Sequence, residues 1–152
     1  MANGSPLVFI TGASSGIGQA LAASFYDAGY RLALVARRTG EIEAWASARQ
    51  LDADRYRVYG ADVAQTDSIV TAGRACIEQQ GLPDVVIANA GISVGVDTAE
   101  REDIDVMART FATNNVGLMA TFHPFVRPMV QRGSGRLVGI GSVTSIRGLP
   151  GH

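Results

Sequence analysis

Thr11-Gly12-Ala13-Ser14-Ser15-Gly16-Ile17-Gly18 holds the residues of this chain best suited to binding chemistry. Three glycines spaced G-x-x-x-G-x-G let a tight turn bring backbone N–H groups close to a phosphate, provided a strand precedes the turn and a helix follows. One glycine serves the turn, one the approach to a pyrophosphate, and one the packing of helix on strand. The spacing differs from the commoner G-x-G-x-x-G fingerprint, and glycines in a turn also serve conformation alone. Roughly 20 residues further on, Ala36-Arg37-Arg38 stand where an acidic residue would hydrogen-bond an adenosine ribose. A carboxylate would repel a 2′-phosphate, whereas a guanidinium fork binds it bidentately, so these arginines point to NADP(H) rather than NAD(H). The plainer alternative is two arginines solvating a helix start. Asp62-Val63 are placed to meet an adenine amino group and ring face. Asn89-Ala90-Gly91 either close a turn or line the same cleft. Ser142 is either structural or a hydrogen-bond donor to a substrate oxygen.

These residues need elements to bring them together, and the chain supplies alternating strands and helices. The apolar, β-rich run Pro6–Ile10 reads as a buried parallel strand. Ile17, Leu21, Ala28 and the Ser24-Phe25 pair then recur at helical spacing until Gly29. Arg31–Ala36 is a second strand, followed by a helix from near Gly40 to Leu51. Tyr56–Ala61 is a third, with a helix from about Gln65 to Gln80. Asp84–Ala88 is a fourth, and a long helical stretch follows from about Glu102 to Gln131, expected to bend near Gly117 and again near Pro124 or Pro128. Gly135–Ile140 is a fifth strand. Strands separated by such helices imply right-handed crossovers and a parallel sheet covered on both faces. The predicted fold class is therefore α/β, a doubly wound Rossmann-like sheet, with ligands beyond the carboxyl ends of its strands. Every residue singled out above falls at such an end.

Composition narrows the partners. With 152 residues, 47% apolar and 18% charged, the chain is one globular domain's worth of sequence. No apolar run approaches the roughly 20 residues that span a bilayer, and Met1–Pro6 lacks the basic and apolar regions of a secretory signal. A net charge of -1 argues against nucleic acid or an anionic membrane as partner. The single cysteine, Cys76, lies in a helical pattern and reads as a buried structural thiol. Without an internal disulfide or a signal, the expected compartment is the cytoplasm. No His/Cys/carboxylate cluster suggests a metal. All 13 basic residues are arginine.

In order along nearly the whole chain, these motifs resemble the short-chain dehydrogenase/reductase family, in its compact branch of single-domain reductases. Thr11-Gly12-x-x-x-Gly16-Ile17-Gly18 is similar to that family's cofactor turn, which implies cofactor contacts from Gly12, Ser14, Ser15, Gly16, Ile17 and Gly18. Arg37 and Arg38 would hold the 2′-phosphate, and Asp62 and Val63 would meet the adenine. Asn89-Ala90-Gly91 matches the family's strand-four motif. Asn114, followed by Gly117, matches the helix asparagine whose backbone carbonyl holds a water in the proton relay, and Ser142 matches the catalytic serine. The resemblance implies NADP(H)-dependent interconversion of a carbonyl and an alcohol on a small molecule, by an enzyme that forms homodimers or homotetramers.

One part of the family pattern is missing. Its catalytic tyrosine, in a Tyr-x-x-x-Lys motif about 13 residues past the serine, would fall just beyond His152. Tyr26, Tyr30, Tyr56 and Tyr59 cannot replace it, because the chain has no lysine. A phenol with a pKa near 10 works at neutral pH only beside a cation that stabilises its phenolate. Residues 1–152 thus read as a dinucleotide-binding domain incomplete on its C-terminal side, inactive alone. The expectation for 1–152 by itself is an exposed edge along Gly135–Ile140 and an uncovered helix face through Phe111, Leu118, Phe122 and Val126, hence association or poor solubility. Two other classes compete. A non-catalytic nucleotide-binding or interaction module would show a native stop after His152, and an epimerase of the extended branch would have another glycine spacing.

Overall fold

A computed structural model describes residues 4–143 and 146–147. The first three residues and His152, used above to read the two ends, lie outside them. Five strands pair in parallel: β1 (Leu7–Thr11), β2 (Arg31–Ala36), β3 (Tyr56–Gly60), β4 (Val85–Ala88) and β5 (Arg136–Gly139). Their order across the sheet is β3-β2-β1-β4-β5. The order turns back at β1 and β4, and the crevice between their carboxyl ends is where ligands of such sheets bind. Between the strands run α1 (Gly16–Asp27), α2 (Thr39–Ala48), α3 (Thr66–Gln80), α4 (Arg101–Phe111) and α5 (Gly117–Arg132).

Side-chain alternation along the strands builds two core layers. Leu7, Phe9, Ala33 and Val35 are buried with Ile69, Ala72, Phe125 and Met129 of α3 and α5. Val8, Ile10, Leu32 and Leu34 are buried with Ala22 and Ile42 of α1 and α2. The strands are apolar on both faces because both faces are covered, which is why they read as continuous apolar runs. The rings of Phe9 and Phe125 meet in a tilted contact, 4.9 Å between centroids. β5 differs: all four of its residues are exposed, and among the described residues it pairs only with β4.

Two expectations about the helices need correction. The second helix ends at Ala48 instead of Leu51. The long stretch after β4 is two α-helices separated by a π-helical turn over Ala112–Val116, just ahead of Gly117, whereas α5 continues unbroken through Pro124 and Pro128. An internal proline costs a helix about 3 kcal/mol, and burial offsets it here. A Cβ at Gly73 would lie 2.7 Å from Pro124 Cγ, so α3 presents a glycine to the ring. The neighbouring Phe125 is fully buried. Strand boundaries otherwise shift by about one residue, within the usual ambiguity of element ends.

Cys76 is fully buried beneath β3. Burial pushes its thiol up to about 12, although the Arg31 charge pulls it back. That is the reverse of what a nucleophilic thiolate needs, and it agrees with a structural role. Because the folded value lies above the unfolded one, this thiol's contribution to stability is complete below about pH 9 and is lost as pH rises toward 12. In the native chain at pH 8 Cys76 should resist a thiol reagent such as DTNB, and it should react fully once denaturant is added. Immediate stoichiometric reaction of the native chain would contradict the buried assignment.

Candidate functional site

The glycine turn sits at the carboxyl end of β1 and opens α1. Ser15 caps α1 in an extended conformation, but its side chain makes no capping hydrogen bond, and the first turn carries no acidic residue. The first N–H groups of α1 are thus left to an outside acceptor. Gly16 has φ +55, a left-handed conformation that glycine adopts without cost, and no atom lies within 4 Å of where its Cβ would stand. Gly18 is the opposite case. A Cβ there would lie 2.1 Å from the Gly12 carbonyl oxygen and 2.6 Å from Asn89 Nδ2, so α1 rests directly on the turn.

Asn89 and Thr11 hold that turn in shape. The Asn89 carboxamide donates to the Thr11 oxygen (3.0 Å) and the Gly12 oxygen (3.3 Å). The buried Thr11 hydroxyl accepts from the backbone N–H groups of Asn89 and Ala90, both at 3.1 Å. β4 therefore braces the end of β1. The Asn89 side chain thus holds the turn after β1, and the residue borders the cleft beside Ala90 and Gly91.

A cleft of about 680 Å³ spans the strand ends. Its β1 wall is Gly12 and Ser14–Ile17, its β2 wall Arg37 and Arg38, its β3 wall Asp62 and Val63, and its β4 wall Asn89–Gly91. Twelve of the expected cofactor residues thus share one cavity, and Gly18 supports it from behind. Asp62 is oriented by its own loop, Oδ1 accepting from the Ala64 N–H at 2.9 Å. Its Oδ2 lies 4.0 Å from Arg37 Nη1, and Arg38 Nε lies 3.2 Å from Glu41 Oε1. Both arginine side chains are about two-thirds exposed or more. Such pairs are worth little, and a bound anion can displace them. A second, wider trough of about 910 Å³ follows the outer edge of β3 and contains none of the glycine-turn residues.

Asn114 and Ser142 lie outside the residues lining the cleft. Asn114 sits in the π-helical turn, with Oδ1 accepting from Ile92 N and Nδ2 donating to Ile92 O, each at 2.8 Å. This paired clamp ties the helical segment to the loop after β4. A π-helical turn also displaces carbonyls from the regular ladder, as functional sites often require. Ser142 is exposed, two residues past Ile140, whose N–H still pairs with Ala88. It stands beyond the carboxyl end of β5, the strand that pairs with β4. The sequence reading missed a fifth wall, formed by Arg109, Ala112 and Thr113. Their i, i+3, i+4 spacing puts them on one helix face, a signal readable once Asn114 is assigned to the same segment.

A parallel doubly wound sheet with a glycine turn and a cleft at its switch point defines a nucleotide-binding α/β fold of the Rossmann type. A sequence model of the short chain dehydrogenase family matches residues 6–152, and the chain belongs to that family. A Drosophila melanogaster protein described as dehydrogenase/reductase SDR family protein 7-like is 37% identical over 148 residues, covering 95% of this chain and 45% of the relative. An NADP-dependent 3-hydroxy acid dehydrogenase of Salmonella typhi is 28% identical, covering 90% of this chain and 54% of the relative. Among solved structures, an alcohol dehydrogenase from Thermococcus sibiricus complexed with 5-hydroxy-NADP aligns with a TM-score of 0.85 and 28% identity, over 96% of this chain and 62% of that one. The chain spans about half the length of the curated relatives it matches. The family is one of oxidoreductases, as the residue-level resemblance implied.

Proposed function

We propose that this chain is the dinucleotide-binding domain of an NADP(H)-dependent oxidoreductase that interconverts a carbonyl and an alcohol on a small molecule. The observation that carries the reading is the cleft that the open α1 N-terminus and the unobstructed Gly16 share with Arg37 and Arg38. Those features fit a pyrophosphate at the helix start and a 2′-phosphate at the end of β2. Two relatives whose descriptions mention NADP, one an alcohol dehydrogenase and one a hydroxy acid dehydrogenase, favour the same reading.

A nicotinamide dinucleotide supplies hydride chemistry when bound, and the protein's share is positioning and electrostatics. Gly12 and Ser14–Ile17 present backbone N–H groups, Asp62 and Val63 receive the adenine, and Asn89 keeps the turn rigid. Ser142 is assigned to donate a hydrogen bond to the substrate oxygen. The Asn114 backbone carbonyl is assigned to hold a relay water, while its side chain fixes the turn on Ile92. The family's Tyr-x-x-x-Lys pair is not among residues 1–152. On this reading the whole protein works in the cytoplasm as a homodimer or homotetramer. No helix among the described residues is long and apolar enough to cross a membrane.

A matched titration tests the cofactor. NADP⁺ should bind at least about tenfold more tightly than NAD⁺, from the arginine–phosphate bonds, and Arg37→Ala should bring the two close together. Equal affinities in the unmutated chain, or a preference untouched by Arg37→Ala, would overturn the assignment.

A further inference from the structure

Arg109 is a charge in the cleft that the motifs do not explain. It lies in the last turn of α4, one turn ahead of Ala112 and Thr113 on the same wall of the cavity that Ser14–Ile17 also line. This segment leads into α5, which packs on the sheet face opposite α1. The wall is fixed in place by the Asn114 clamp on Ile92. It is also fixed by Gly117, where a Cβ would lie 2.8 Å from the Val63 oxygen. The other two arginines of the cleft each stand near a carboxylate, Arg37 by Asp62 and Arg38 by Glu41. Arg109 has no ion-pair partner among the described residues. The acid one turn back, Asp105, is held by Arg101 at 3.1 Å. The uncompensated positive charge of the cavity therefore rests on Arg109 and on the N-terminus of α1, on opposite walls.

We infer that Arg109 is a cofactor-binding residue that holds the dinucleotide's pyrophosphate from the wall opposite the glycine turn, and so acts on NADP and NAD alike. The inference rests on the dinucleotide reading of the cleft and adds to it a division of labour. Arg37 and Arg38 distinguish the two cofactors, and Arg109 sets the affinity common to both. A guanidinium donates to phosphate through a charge-assisted bond, and a cation without a partner gives up no ion pair when it does so.

The test is equilibrium binding of NADP⁺, NAD⁺ and ADP to the chain, to Arg109→Gln and to Arg109→Lys. ADP carries the pyrophosphate without nicotinamide or 2′-phosphate. Arg109→Gln should raise all three dissociation constants about tenfold and leave the NADP/NAD ratio unchanged. Arg109→Lys should recover most of the loss, since a point charge still meets a phosphate. Unchanged affinity for all three ligands in Arg109→Gln would overturn the inference. So would a loss confined to NADP⁺, which would place Arg109 on the 2′-phosphate. A loss that lysine does not recover would also overturn it, by indicating stacking on the base. If the unmutated chain binds none of the three, the dinucleotide reading itself fails, and the inference fails with it.

Discussion

Gly18→Ala should cost the chain about 1–3 kcal/mol of stability, as overpacking does, and about ten- to a hundredfold in dinucleotide affinity, the worth of one charge-assisted hydrogen bond to a phosphate. The added methyl carbon would stand 2.1 Å from the Gly12 oxygen and 2.6 Å from Asn89 Nδ2. Backbone cannot yield as a flexible side chain can, so α1 must move off the turn or the turn must open. Either movement displaces the N–H groups that face the cleft and strains the Asn89 bonds to Thr11 and Gly12. A destabilisation of this size lowers Tm by roughly 2–12 °C for a domain of about 150 residues. Gly40→Ala is the matched control, because nothing lies within 4 Å of its added carbon, and it should leave affinity unchanged. Wild-type affinity and Tm in Gly18→Ala would show that α1 and the turn are not in the contact described.

The second large effect belongs to Ser142. In the whole protein, Ser142→Ala should lower kcat by roughly 10²–10³-fold with cofactor affinity nearly unchanged, as loss of an oxyanion-type donor does. Its place past the end of β5, outside the residues that line the cleft, is consistent with the split. A group that touches the substrate oxygen and not the dinucleotide changes turnover and spares binding. Steady-state kinetics beside a cofactor titration separate the two. Wild-type turnover in Ser142→Ala would reduce the serine to a structural role.

The parts of the fold legible in the sequence were those governed by burial on both sides. Leu7–Ile10, Arg31–Ala36 and Val85–Ala88 read as strands because a sheet covered on two faces needs unbroken apolar runs. The motif order likewise led to the family that the whole-chain match shows. The division between α4 and α5 was harder to see. Helical periodicity runs on through Ala112–Val116, and the π-helical turn there coincides with two tertiary contacts, Asn114 on Ile92 and Gly117 on Val63. The prolines misled for the same reason, since Pro124 is accommodated by Gly73, a glycine on another helix far away along the chain. Asn89 had two readings, and only the hydrogen bonds to the glycine turn decide what its side chain does. Arg109 was overlooked because an arginine in a polar helix reads as a solvated charge until the helix is placed against the cleft.

Residue-resolved amide shifts of the ¹⁵N-labelled chain on adding NADP⁺ test the central claim most directly, that the strand-end cleft is the dinucleotide site. The account predicts perturbations concentrated at Gly12–Gly18, Arg37, Asp62–Val63, Asn89–Ile92 and Arg109–Thr113, saturating together along one binding curve. It also predicts that NAD⁺ reaches the same residues at higher concentration. Perturbations centred on Tyr56–Gly60 and Thr71–Gln79, along the outer edge of β3, or no saturable perturbation at all, would contradict it.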